Sequence, residues 1–184
     1  MDDSFVVYHL NENYRNGRNI LNFAKTIING SDIQGVPIYD DSICMRDTII
    51  DRVVEIPFSL EAIVRGLKMH SNYKDWFILT RTNAMIDAVM NELKKANIPC
   101  DTFKRSQISA ADFQEKMAAN TVKVLTVHSA KGLEAPNVIV VEVPRWSRNA
   151  EETRVAYVAA TRAKDTLIWT KRIKPKRPKI LKWE

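Results

Sequence analysis

The chain of 184 residues has no G-x-x-x-x-G-K-[ST] run, so it lacks the loop that cradles phosphates and the hydroxyl that holds Mg²⁺ beside them. Its nearest approach is Lys131-Gly132, which has the two residues in reverse order, and no acidic pair follows an apolar strand. It has two cysteines, Cys44 and Cys100, too far apart for a CxxC pair or a dense disulfide framework. They read as buried free thiols in a reducing cytoplasm. The three histidines, His9, His70 and His128, lack metal-ligand spacing, which leaves no metal site to assign. Asp40–Asp41 has no third carboxylate to help it and reads as a solvated turn. No apolar run approaches the roughly 18–20 residues that span a bilayer, so no membrane partner is expected. The acidic start MDDSFVVYHL is not a secretory signal.

What is present fits one soluble α/β domain. Hydrophobic residues make up 45%, ample for a core. The net charge of +6 is concentrated at one end: residues 171–184 carry seven of the 28 Lys and Arg and one of the 22 acids. The remaining 170 residues are balanced, so any nucleic-acid contact there has to come from local placement. The Pro-broken end KRIKPKRPKILKWE reads as an extended basic tail, either touching a phosphate backbone or merely solvated.

Periodicity alternates between the two regular structures. Strands are expected at Phe5–Leu10, Thr48–Ile56, Trp76–Thr80, Ile98–Phe103, Thr121–Val127, Asn137–Val143 and Thr166–Thr170. Helices are expected over Gly17–Asn29, Ser59–His70, Asn83–Asn97 and Glu151–Ala163, with a weaker one in Ser106–Asn120. Ser31–Asp47 reads as irregular. Alternation of this kind implies a mainly parallel sheet with helices on both faces.

Between two of the strands lies Thr126–Glu134, TVHSAKGLE, read as a loop at a strand end, where α/β proteins place ligand chemistry. Thr126, His128, Ser129 and Lys131 are phosphate partners by type, and Glu134 can accept bonds from a sugar hydroxyl. Gly132 allows a backbone shape or a close approach that a Cβ would block.

TVHSAKGLE and Glu151–Lys164, EETRVAYVAATRAK, resemble the fifth and sixth motifs of superfamily 1 DNA helicases of the UvrD, Rep and PcrA type. LNENYRNGRNI at Leu10–Ile20 resembles the fourth motif, and LTRTN at Leu79–Asn83 the Arg-Thr-Asn segment between them. All four occur in the family's order. The resemblance implies a RecA-like fold: residues 1–170 as the second motor lobe and 171–184 as the tail. It implies a whole protein that uses ATP and Mg²⁺, held mainly by a separate N-terminal RecA-like lobe, to move along single-stranded DNA. The family usually carries a large accessory domain before the fifth motif; with only Ala84–Leu125 in that gap, the resemblance implies that it is absent or vestigial here.

The resemblance also implies roles. Arg15 and Arg162 match arginines that reach the γ-phosphate across the cleft. Charge spread over the transferring oxygens is stabilised by a guanidinium from the facing lobe. Tyr14, Gly132 and Glu134 match nucleotide-side positions, Glu134 as the ribose contact or else as a helix-start acid. Thr126, His128, Lys131, Arg81 and Asn83 match DNA-side positions, with Asn83 equally fit to be a helix N-cap. Glu152 and Arg154 resemble a bracing pair, and Tyr157 reads as packing. Without a partner lobe the chain is expected to show no ATPase. The rival reading is a non-catalytic nucleic-acid or protein adaptor derived from such a lobe.

Overall fold

The computed structural model describes residues 11–29, 31–33, 36–38, 40–104, 107–141 and 150–171. The expected strand at Phe5–Leu10 and all but the first residue of the basic tail lie outside them.

Six strands form one sheet: β5 (Arg52–Pro57), β6 (Trp76–Thr80), β7 (Cys100–Asp101), β8 (Val122–Thr126), β9 (Ala135–Val140) and β10 (Ala163–Lys171). Their order is β5-β10-β9-β6-β8-β7, and every pairing is parallel. The strands therefore share one amino end and one carboxyl end.

Side chains alternate across the sheet, as a period of two requires. Phe77, Leu79, Leu125, Val138, Val140, Leu167 and Trp169 face one layer. That layer is built from α1 (Arg18–Ile28) and α5 (Ala150–Ala160), with Phe113 and Met117 of α4 (Ala110–Ala118) packed against it. Trp76, Ile78, Val122, Val124 and Ile139 face the other layer, α2 (Leu60–Leu67) and α3 (Asn83–Lys95). Helices thus cover both faces.

The helix ends follow local capping rules. Ser59 Oγ accepts from Ala62 N at 3.1 Å, Ser109 Oγ from Asp112 N at 3.1 Å, and Thr82 Oγ1 from Met85 N at 3.4 Å. Thr82, rather than Asn83, is thus the cap of α3. The exception is α1, which has no local side-chain cap and no acid in its first turn. Asp51 supplies both from 32 positions away, accepting from Asn19 N at 2.6 Å and Ile20 N at 3.2 Å. Its carboxylate occupies the space beside Gly17, where a Cβ would sit 2.3 Å from Oδ1.

The Ser31–Asp47 stretch, expected to be irregular, contains short pairings. β2 (Ser31–Ile33) and β3 (Val36–Ile38) form an antiparallel pair, while β4 (Ile43–Cys44) runs parallel to β1 (Glu12–Asn13). Strands of two or three residues are too short to show periodicity. The strand expected from Ile98 shrinks to Cys100–Asp101. Cys44 and Cys100 are free but only half-buried, short of the burial expected. Asp40 is no solvated turn residue either. It accepts from Ser42 N at 2.8 Å and from the Tyr157 hydroxyl at 2.6 Å.

Lys123, the second residue of β8, is fully buried. Its ammonium donates to Ala119 O and Thr121 O at 2.8 Å each and to Thr121 Oγ1 at 2.6 Å, closing the turn before the strand. Burial pushes its pKa down.

Candidate nucleotide and nucleic-acid sites

The sequence-predicted residues separate to opposite ends of the sheet. Glu134 immediately precedes β9 and Arg162 immediately precedes β10, so both stand at the amino end. Arg81 follows β6 and Thr126 ends β8, so these stand at the carboxyl end with Asn83 and His128. A six-residue strand separates the ends by roughly 17–20 Å. The Thr126–Glu134 segment therefore does not sit at one strand end. It leaves the carboxyl end of β8 and crosses to the amino end of β9. Gly132 takes φ 81° on the way, a conformation that favours glycine.

At the amino end, Arg15 Nε donates to Glu134 Oε2 at 2.8 Å, and Lys164 Nζ lies 3.1 Å from Glu134 Oε1. With Glu12, Asn13 and Tyr14 these residues line an open cavity of about 440 Å³. Tyr14 is 66% exposed, and its hydroxyl donates to Glu12 Oε2 at 2.7 Å. Partial burial alone would push the Glu134 carboxyl up. Lys164 and Arg15 outweigh that and hold it below the ordinary carboxylate value.

Arg162 lies behind this cavity, 8% exposed. Its Nε donates to Val158 O at 3.0 Å, Nη1 to Leu133 O at 3.2 Å and Nη2 to Thr161 Oγ1 at 3.2 Å. Three of its five N–H groups are committed in this way, which leaves two without a partner among the described residues. Burial pushes its pKa down, and the charge of Arg15 adds to that. Asn16, fully buried, ties the two arginine-bearing segments together. Its Nδ2 donates to Thr161 O at 3.1 Å and Ala163 O at 2.6 Å.

The carboxyl end is looser. His128 and Asn83 are exposed, and Thr126 Oγ1 lies 3.0 Å from Ser129 Oγ. Arg81 forms a two-pronged pair with Glu152, its Nε 2.8 Å from Oε2 and its Nη2 2.5 Å from Oε1. The Arg81 hydrogen bond first, and its charge after that, holds Glu152 below its ordinary value. Glu152 does brace, then, but against Arg81. Lys131 is exposed beside Gly132.

Several residues of these sites gave no sequence signal. Lys164, Asn16, Arg46, Asp51 and Asp165 act through partners from 30 to about 150 positions away. Only the placement of Asn16 and Lys164 beside the two arginines hinted at them.

The sequence profile of the UvrD-like helicase C-terminal domain matches residues 8–108 and 101–173. The chain belongs to the UvrD-like helicase C-terminal domain family. A probable DNA helicase II homolog of Mycoplasma capricolum subsp. capricolum is 28% identical over 137 residues. That match covers 61% of this chain but 19% of the relative, so the chain spans about a fifth of that protein's length. The crystal structure of the C-terminal domain of a possible DNA helicase from Lactobacillus plantarum WCFS1 superposes with a TM-score of 0.58 at 21% identity. It covers 88% of this chain and 90% of that one, and supports the RecA-like fold.

The donor set of this UvrD-like domain suits an anionic nucleotide. Arg15, Lys164 and Arg162 offer cations to phosphate oxygens, and Glu134 offers acceptors to sugar hydroxyls. Among the described residues, no group of three His, Cys, Asp or Glu that could hold a metal occurs. No helix among them is long and apolar enough to cross a membrane.

Proposed function

We propose that this domain is the second motor lobe of an ATP-dependent DNA helicase or translocase. It completes a nucleotide site whose P-loop and Mg²⁺ ligands belong to another lobe. The observation that carries the reading is the convergence of Arg15, Glu134 and Arg162. They come from three separated segments and meet at the amino ends of β9 and β10, beside an exposed Tyr14.

In this reading Arg15 extends from the rim to the γ-phosphate, and its bond to Glu134 is exchanged for bonds to phosphate oxygens. Arg162 adds a second positive charge from behind, through the donors left after its bonds to Leu133 and Val158. Glu134 orients the ribose, Tyr14 offers its exposed ring to the base, and Gly132 shapes the crossing that delivers Glu134. ATP with Mg²⁺ supplies the phosphoryl group, and closure of the lobes brings Arg15 onto it. At the other end Thr126, His128, Lys131, Arg81 and Asn83 form half of a track for the backbone of single-stranded DNA. Residues 171–184 add a basic tail beyond the motor lobe.

The crossing segment and α5 each link the two ends. The first joins Thr126 to Glu134, the second Glu152 to Arg162. Events at the nucleotide can therefore reach the track through two short, continuous pieces of chain.

The test is ATP hydrolysis by the complete protein. Arg15→Ala is expected to lower kcat by about 10³–10⁵-fold, the worth of an arginine finger. An unchanged kcat, or ATPase from this chain alone, would sink the proposal.

A further inference from the structure

The residues between β3 and β5 form a strap that runs past the nucleotide end and touches it at three points. Near its start the Asp40 carboxylate accepts from Tyr157 of α5. At its end Asp51 caps α1, directly after the Arg15 loop. In the middle is Arg46, a residue no motif covers. Its Nη1 donates to Arg15 O at 3.1 Å and also to Lys164 O. Its Nη2 is 2.5 Å from Asp165 Oδ1. One planar guanidinium thus fastens the backbone that bears Arg15 to the first turns of β10, just past Arg162. A planar fork reaches these acceptors from two separate nitrogens, whereas a lysine would have to bring its single nitrogen within reach of all three at once.

Asn16 makes a second fastening between the same two segments, from the buried side. Its Nδ2 reaches Thr161 O and Ala163 O, while its Oδ1 accepts from Asn13 Nδ2 at 3.1 Å. The Arg15 loop is therefore held on one side by Arg46 and on the buried side by Asn16, and each tie ends within three residues of Arg162. Arg15 itself is on the rim, with its side chain 42% exposed. Without the two ties, its loop would keep the Glu134 pair, the Asp51 cap, the β1–β4 pairing and one direct main-chain bond to β10, Gly17 N on Lys164 O at 3.2 Å, none of which grips the Arg15 carbonyl.

We infer that Arg46, seconded by Asn16, is a positioning residue that sets the placement of Arg15 relative to Arg162. Neither side chain needs to touch nucleotide. The consequence for hydrolysis rests on the motor-lobe reading, but the positioning itself does not. A misplacement of about 1 Å in such a site costs up to about a hundredfold in rate.

The test has two arms. In this chain without nucleotide, the Arg15 Nε–Hε group that donates to Glu134 gives a ¹H–¹⁵N signal. Arg46→Met should shift or broaden that signal and leave the amides of α3 unmoved. An unmoved Arg15 signal in a folded variant overturns the inference. In the complete protein, Arg46→Met should lower kcat on the order of ten- to a hundredfold with little change in KM for ATP. The same substitution made in an Arg15→Ala background should add almost nothing, because Arg46 acts through Arg15. An equal loss in both backgrounds also overturns it. If Arg15→Ala leaves kcat intact, the motor-lobe reading fails, and the spectroscopic arm still decides the positioning. Should Arg46→Met not fold, Arg46→Lys takes its place in both arms, with the same signal shift expected and the same outcomes overturning.

Discussion

The two ends of the sheet are built on different plans. At the amino end, Arg162 and Asn16 are buried, and each bonds the main chain of another segment. At the carboxyl end, His128 and Asn83 are exposed, and the bonds are local or between side chains, as in the part-buried Arg81–Glu152 pair. Phosphoryl transfer tolerates little error in where a charge sits, so a rigid, cross-tied end suits it. A DNA backbone that slides past offers the same phosphate at every step, so side chains that reorient suit the other end. Under the proposed function, the difference teaches that the buried, cross-tied end goes with the phosphates and the exposed end with the strand.

The largest effect that would break this contrast is loss of stability at Arg162. Arg162→Met keeps much of the volume but takes the side-chain donor from Leu133 O, while Val158 O keeps the Thr161 hydroxyl at 3.1 Å. An unsatisfied buried acceptor costs about 1–3 kcal/mol, so unfolding free energy should fall by about that much. Arg81→Met at the other end removes a half-exposed pair and should cost about 1 kcal/mol or less. Urea unfolding of both variants measures this directly. Equal losses would mean that the ends are equally rigid.

A second contrast concerns ligands and has opposite signs at the two ends. Glu152 occupies Arg81, so Glu152→Gln frees a guanidinium for phosphate. Affinity for single-stranded DNA should rise several-fold, by an amount that shrinks as salt is added. Glu134 is itself a ligand group in the proposed site, so Glu134→Gln should weaken ATP binding by about tenfold in the complete protein, in line with the loss of a charged hydrogen bond. Fluorescence titration against oligonucleotide and nucleotide reads both. A fall in DNA affinity for Glu152→Gln would show that the pair holds Arg81 in its working position.

How much of this was legible depends on the range of the interaction. Trp76–Thr80 and the helix from Asn83 showed in the sequence because a compact apolar run and 3.6-residue spacing are local. The four motifs identified Arg15, Glu134 and Arg162 as a set. They said nothing of Arg46, whose three partners lie 31, 118 and 119 positions away. Nor could they show that Arg81 is held by a carboxylate 71 positions on. The crossing of Thr126–Glu134 was hidden for a different reason. Strand direction decides which end a loop reaches, and nothing within the run itself marks that β8 and β9 both lie parallel to the β6 between them.

The smallest expected effect lies in acid and salt. Burial alone would raise Asp40, but bonds from Ser42 and Tyr157 outweigh it and hold the carboxyl below its ordinary value near 3.8. Glu152 is held below 4.5 chiefly by Arg81. A carboxylate depressed by folding adds stability that is fully present above its unfolded value. That contribution disappears as pH falls through the folded value. Both should therefore weaken the fold below about pH 4, and Asp40→Asn and Glu152→Gln should each flatten part of that fall. Their salt responses should differ. Asp40 is held mostly by neutral hydroxyl and amide donors, which salt does not screen. Glu152 is held by a half-exposed guanidinium, whose pull weakens once the Debye length falls to about 3 Å in 1 M salt. In 1 M NaCl the Glu152→Gln difference should shrink to a few tenths of a kcal/mol or less, while that of Asp40→Asn persists. Equal shrinkage of the two would mean that the strap is held to α5 by charge, and that the amino end is no more rigidly bonded than the track.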